Sequence, residues 1–250
     1  KEMQEKVMRT EQLAAVGRFS AGLAHEIRNP LTSLSGSIQV LARGLKLENS
    51  YKKLMEIVIK ETDRLNSILS DFLSYSQPSK INNTIIDLTQ LIQDVIILLK
   101  NKEDFSSKKQ IIFNGPTDHL TLNGDEEQIK QVVWNLCINA LEAMSQGTLN
   151  LKLTEVFSFR SGSFHANQRG MVLEVQDEGC GIAFDQINNI YDPFYSSKKN
   201  GVGLGLATVY QIISRNGGVL DVKSIVGKGT IFTVFIPDQE SAKPAPLLSH

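Results

Sequence analysis

Apolar residues recur three and four apart over the first part of the chain, at Leu13, Val16, Leu23, Ile27, Leu31, Leu34, Ile38 and Leu41. That spacing aligns them on one stripe of a helix packed against other helices. After a break at residues 44–50, a second helical pattern runs through Leu54, Ile57, Val58, Glu61, Leu65, Ile68, Leu69 and Phe72. Only one proline, Pro30, falls between Val7 and Asp71. Two antiparallel helices cannot bury two such seams alone. A dimeric four-helix bundle solves the problem economically, and a helical hairpin packed on the rest of the chain is the alternative.

Gln77-Pro78-Ser79 ends the second helix, because proline disfavours helical geometry at the residue before it. The pattern then changes character. Asp87 followed by Gln90, and Asp125 followed by Gln128, read as caps opening helices that run to Lys100 and to about Met144. Strand patterns are expected at 110–113, 119–122, 148–156, 171–176, 218–224 and 230–236, with a helix at 205–214. The polar, glycine-containing stretch 158–170 reads as a hairpin loop. Residues 239–250 hold two prolines and no periodicity, and read as a disordered tail. The expected organisation is a helical hairpin at 1–78, one α/β domain of mixed strand order at 79–238, and the tail.

The chain has 250 residues, and its 26 basic against 27 acidic side chains leave a net charge of −1. Bulk attraction to nucleic acid or anionic lipid is excluded as the driving force, so no nucleic-acid partner is expected. With 41% hydrophobic and 21% charged residues the chain can fold. Two cysteines, Cys137 and Cys180, make no disulfide scaffold and suit a reducing, cytoplasmic compartment. No apolar run approaches the ~20 residues that cross a bilayer, so no membrane segment is expected in this stretch. Lys1 in place of an initiator Met reads as a fragment, which leaves a membrane segment outside this stretch open. Ten of the 18 glycines crowd between Gly170 and Gly229, which marks that region for close backbone approach.

At roughly 100° per residue, Leu23 and Ile27 lie about 40° apart on the first seam, and His25 points the other way. It therefore faces solvent, either as an ordinary surface histidine or as a reactive one. Glu26 can accept a hydrogen bond from one ring nitrogen, leaving the other as a nucleophile. Pro30 removes the amide that would bond the Glu26 carbonyl, so the helix can bend there. The run His25-Glu26-Ile27-Arg28-Asn29-Pro30-Leu31 resembles the H-box of two-component sensor histidine kinases, as do the preceding Leu13-Ala14-Ala15-Val16-Gly17 and Gly22-Leu23-Ala24. The resemblance implies that His25 receives phosphate from ATP. It makes Glu26 the assisting base, and has Asn29 position water when the protein dephosphorylates its partner.

On the helix opened by Asp125, a stripe of Ile129, Val132, Val133, Leu136, Cys137, Ala140, Leu141 and Met144 faces a core, and Asn135 and Asn139 project away from it. Two carboxamides one turn apart are either polar surface, an interhelical contact, or ligands for Mg2+ beside a polyphosphate. Asp177 follows a strand and precedes Gly179 and Gly181, a place where a carboxylate could meet a base amine. The run Gly201-Val202-Gly203-Leu204-Gly205-Leu206 opens a helix whose amides suit phosphate oxygens. It lacks the endings of a P-loop and the spacing of a Rossmann fingerprint.

In order, Asn135/Asn139, Asp177/Gly179/Gly181, Asp192-Pro193-Phe194 and Gly201/Gly203/Gly205 resemble the N, G1, F and G2 boxes of the same kinases. Gly227-Lys228-Gly229-Thr230 resembles their closing strand turn. The resemblance covers about residues 10–238 and implies a helical hairpin forming a dimeric four-helix bundle, then an α/β sandwich ATP-binding domain of the gyrase and histidine-kinase type. It implies that ATP and Mg2+ are bound, with Asp177 on the adenine amine, Asn139 as principal metal ligand and Asn135 beside it. Nucleotide contacts are implied for Gly179, Gly181, Phe194, Lys198, Gly201, Gly203, Gly205, Leu206 and Thr230, with residues 188–205 as a mobile lid. The implied partners are a second copy of the chain and the receiver domain of a response regulator.

Glu178 and Cys180 depart from the family pattern, where Asn and Pro are common; Cys180 is either an oxidisable thiol or a small residue tolerated in a turn. Ala140-Leu141-Glu142-Ala143-Met144 replaces a basic-aromatic pair and resembles the nitrogen-regulation-type branch. The expected activity is autophosphorylation on His25 followed by transfer to a regulator aspartate. Its alternatives are a gyrase-type ATPase without phosphotransfer, a degenerate regulator-docking module, and a purely structural dimerising coil.

Overall fold

The computed structural model describes residues 29–38, 40–41, 49–76, 82–102, 105–116, 119–162, 164–198 and 201–238. His25, Glu26 and the expected tail at 239–250 lie outside the described residues. The chain divides between residues 79 and 80 into two compact units.

In the first unit, residues 29–38 and 40–41 are helical (α1), and Asn49–Ser76 form α2. Much of the expected seam faces outward in the single chain. Leu34, Leu41, Leu54, Ile57 and Leu65 are each about half exposed, while Ile68, Leu69 and Phe72 are half-buried.

The second unit is a two-layer sandwich. Its sheet contains β2 (Lys109–Asn114), β4 (Gly147–Val156), β7 (Gly170–Asp177), β9 (Gly229–Pro237) and β8 (Val219–Ile225), in that spatial order. β2 and β4 are parallel, and the other pairs are antiparallel. Side chains alternate across a strand. Leu149, Leu151 and Leu153 of β4, Met171, Leu173 and Val175 of β7, and Phe232, Val234 and Ile236 of β9 thus share one buried face. Helices α3 (Leu88–Lys100), α4 (Glu126–Ala143) and α5 (Gly205–Arg215) form the second layer. Every residue of the expected α4 stripe, from Ile129 to Met144, is buried.

Both expected caps form. Gln90 N–H donates to Asp87 Oδ1 and Gln128 N–H to Asp125 Oδ1, each at 3.0 Å. Two elements depart from expectation. β1 (Asn83–Asp87) was not foreseen; it pairs antiparallel with β3 (Thr121–Asp125), whose register is set by Asn83 opposite Asp125. That pairing carries the strand three residues beyond the expected 119–122, through Asn123 and Gly124 to Asp125. The stretch 158–170 is a folded hairpin, β5 (Phe159–Ser161) with β6 (Phe164–Ala166). Phe159 stacks on Phe235 with ring centroids 4.8 Å apart.

Candidate functional site

α4 carries the first group of candidate residues. With the apolar stripe buried against the sheet, Asn135 and Asn139 emerge half-buried on the other side. Asn135 Nδ2 donates to the Gly205 carbonyl at 3.4 Å, joining α4 to the first residue of α5. An added Cβ at Gly205 would meet Asn139 Nδ2 at 3.6 Å, an ordinary contact, so both asparagines lie against the start of α5. Asn139 Oδ1 accepts from Lys198 Nζ at 3.1 Å, and the same ammonium donates to Glu142 Oε2 at 2.5 Å.

Asp177 ends β7 on the face shared with Leu173 and Val175, so it points toward the helices and is buried. Burial raises its pKa, while the amides of Gly179 and Thr230 act to lower it. Gly179 N–H donates to Asp177 Oδ1 at 2.7 Å. The turn then tightens through Gly181, at φ 71°, where an added Cβ would sit 2.3 Å from the Ile225 carbonyl oxygen. Cys180 N–H donates to the Ala143 carbonyl at 3.2 Å, so the Asp177 turn and the asparagine pair meet on the C-terminal half of α4. Thr230 is buried opposite Asp177, and its hydroxyl lies 2.9 Å from Ser224 Oγ.

Phe194 closes the arrangement. It is exposed, adopts φ 66°, and donates its N–H to the Gly203 carbonyl at 3.0 Å. Gly203, at φ 75°, would bring a Cβ within 2.5 Å of this backbone. Gly201 N–H donates to the Lys198 carbonyl at 3.2 Å, which brings Gly201 and Lys198 together. Leu204 precedes α5 with no side-chain cap bond. The amides of Gly205 and Leu206 therefore open the helix as an anion-favouring end.

The structure thus gathers Asn135, Asn139, Lys198 and Gly205 at one edge of α4 and Asp177, Gly179, Gly181 and Thr230 at its end. Asn29 is exposed on α1. Two contributors were missed by sequence reading. Glu142 was signalled by its spacing, three residues beyond Asn139. Ser224 accepts from Ile182 N–H at 2.8 Å and approaches Thr230 only because β8 pairs with β9, a relation no local pattern carries. Among the described residues, no three His, Cys, Asp or Glu side chains converge. The positive group there, the Lys198 ammonium, rests on the Asn139 carboxamide oxygen and the Glu142 carboxylate, and hard oxygen at this edge of α4 fits Mg2+.

Comparison with known proteins defines the class. The model of the histidine kinase-, DNA gyrase B- and HSP90-like ATPases matches residues 124–240, and that of the His kinase A phospho-acceptor domain matches 15–81. The chain belongs to the two-component sensor histidine kinases. It is 34% identical over 239 residues to sensor histidine kinase ZraS of Salmonella typhimurium, covering 95% of this chain and 49% of that one. It is also 34% identical to sporulation kinase A of Bacillus subtilis, covering 95% of this chain and 37% of the other. Full-length ShkA in complex with AMPPNP superposes with a TM-score of 0.71 at 25% identity, over 95% of this chain and 47% of that one. Histidine kinase ThkA in complex with response regulator protein TrrA gives 0.64 at 26%, over 97% and 67%. The chain spans about half the length of the ZraS proteins it matches.

Proposed function

We propose that this chain is the catalytic core of a histidine kinase that phosphorylates His25 from ATP and passes the phosphoryl group to an aspartate on a separate response regulator. The observation that carries the reading is the meeting of the asparagine pair, the Asp177 turn and the uncapped start of α5 around one half of α4. Asp177 would accept the adenine amine, with Thr230 beside it. Gly179 and Gly181 would let the base approach the backbone. The Gly201–Gly205 run with Leu206 would offer amides to phosphate oxygens, and Phe194 and Lys198 would lie over the nucleotide. Asn139, with Asn135 adjacent, would hold Mg2+, which supplies charge neutralisation on the phosphates.

A ring nitrogen of His25 would attack the γ-phosphorus in line, forming an N–P bond as the bond to the β,γ-bridging oxygen breaks and ADP leaves. Glu26 would take the ring proton. The N–P bond would then break as a regulator carboxylate attacks. An amide at Asn135 cannot activate water as a carboxylate would, which favours transfer to histidine over hydrolysis. ShkA with AMPPNP and ThkA with TrrA support nucleotide and regulator as ligand and partner.

The outward apolar seam, including Leu54, Ile57 and Leu65, supports a homodimer through a four-helix bundle. No described helix is long and apolar enough to cross a membrane, and the cysteine usage supports a cytoplasmic location for this part. Incubation with γ-labelled ATP and Mg2+ tests the reading. The parent should acquire acid-labile phosphate and His25→Gln should not; equal incorporation would sink the assignment of His25.

A further inference from the structure

Lys198 offers one ammonium to two oxygens of α4, Asn139 Oδ1 at 3.1 Å and Glu142 Oε2 at 2.5 Å. Residues three apart on a helix are surface neighbours, so a single patch of α4 converges on one cation. Asn139 Oδ1 is also the oxygen that the proposed function gives to Mg2+. One oxygen therefore has two positively charged claimants.

We propose that Glu142 is a positioning residue that parks Lys198 on Asn139 Oδ1, so that the lysine ammonium is a tethered occupant which Mg2+ displaces when Mg·ATP binds. The inference rests on the nucleotide-binding reading of this site. A neutral carboxamide alone holds an ammonium weakly, and the carboxylate supplies the charge that keeps it there. Lys suits the part, being a compact charge on a flexible stem that can exchange partners. Its backbone is held in a local turn, with Gly201 N–H donating to the Lys198 carbonyl at 3.2 Å.

The test is binding of a fluorescent, non-hydrolysable ATP analogue to the full chain, in chelator and at saturating Mg2+. The readout is the ratio of the two dissociation constants, the factor by which metal tightens binding. Lys198→Met removes the competitor and should raise that factor at least threefold, or ~0.7 kcal/mol at 1.4 kcal/mol per decade. Such a size is within reach of a half-exposed ion pair. Glu142→Gln should raise it by less, because the lysine remains but is no longer held, and Glu142→Asp should restore the parent value. Circular dichroism confirms that each variant is folded. A lower factor in Glu142→Gln would make Glu142 a metal ligand and overturn the proposal, as would an unchanged factor in both Lys198→Met and Glu142→Gln. A parent that binds no nucleotide overturns the proposed function as well, whereas a binding parent with unresponsive variants removes only the tether.

Discussion

Asp177 and Thr230 stand directly opposite each other at the end of the β7–β9 ladder, both buried. Their pairing places a buried carboxylate beside the end of α4, where the proposed function puts the adenine amine. The Gly179 amide occupies Asp177 Oδ1. An Asn at this position keeps its oxygen on that amide and turns an NH2 group toward the space of the second carboxylate oxygen. Donor then faces donor at the adenine amine, and a buried mismatch of this kind costs ~1–3 kcal/mol. Asp177→Asn should weaken ATP binding at least tenfold, measured by calorimetry, and shift relative preference toward ITP, whose keto oxygen accepts.

The same carboxylate predicts a pH dependence. Burial raises its pKa from the ordinary 3.8 against the pull of two amides. A raised folded-state value means the folded chain takes up the proton more readily than the unfolded one. Protonation of Asp177 therefore favours folding while it removes the acceptor. Nucleotide affinity should fall as pH drops toward the acid range, starting above 3.8, before the sheet unfolds. Affinity and circular dichroism that decline together would refute this order.

Two glycines near this corner separate backbone strain from crowding. Gly229, at φ 112°, would bring a Cβ within 2.0 Å of the Asp177 carbonyl oxygen, whereas Gly227, at φ 77°, has open space around it. Gly227→Ala pays only the left-handed backbone cost of ~1–2 kcal/mol. Gly229→Ala adds a backbone clash that must part β7 from β9, for a loss of ~3 kcal/mol or more. Urea unfolding of the two variants should rank them in that order.

How legible this molecule was depends on how local each cause is. The α4 stripe from Ile129 to Met144 and the caps at Asp87 and Asp125 are set by spacings within a few residues, and periodicity finds them. The asparagine pair followed from the same helix, since burying one stripe fixes the opposite edge. β1 did not, because Asn83–Asp87 becomes a strand only by pairing with a segment about 40 residues later. Nor did the contact of Lys198 with Glu142, 56 residues apart, although each lay beside a recognised motif. The ordered boxes carried the function further than any single spacing could.

Cys137 and Cys180 should differ sharply toward a thiol reagent. Cys137 is fully buried on the α4 stripe, and burial pushes its thiol up to about 12. Cys180 is exposed on the turn after Asp177. Because the thiolate is the reacting form, iodoacetamide should label one cysteine per folded chain, at Cys180, and both after denaturation. Mass spectrometry of the peptides would show it, and early labelling of Cys137 would contradict the packing of α4.

Asn29 offers a separate test of the helical unit. Its side chain is exposed on α1, and the resemblance to the sensor histidine kinases implies that it orients water for removal of phosphate from the regulator. Asn29→Ala should slow dephosphorylation of a phosphorylated regulator about tenfold or more, the usual scale for losing a positioning group. Autophosphorylation of His25 should change much less. Equal losses in the two assays would count against a role in placing water.

The hairpin of β5 and β6 predicts a loss of stability without loss of binding. Phe235 alternates with Val234 and Ile236 along β9, so its ring leaves the main core for the opposite face of the sheet. There Phe159 stacks on it nearly parallel and Phe164 leans against it at 6.1 Å. Ser161 Oγ fastens the hairpin further by donating to Asp221 Oδ2 at 3.0 Å. An aromatic pair contributes ~0.5–1.5 kcal/mol beyond the area it buries, so Phe159→Ala should cost ~1–3 kcal/mol in urea unfolding. Phe159→Leu keeps most of the apolar cover and should cost less. Asp177 and the asparagine pair face the helices on the other side of the sheet, so nucleotide affinity should stay at the parent value in both variants. A weakened affinity in the still-folded Phe159→Ala protein would mean that the outer face of the sheet is coupled to the site, contrary to the two-layer separation.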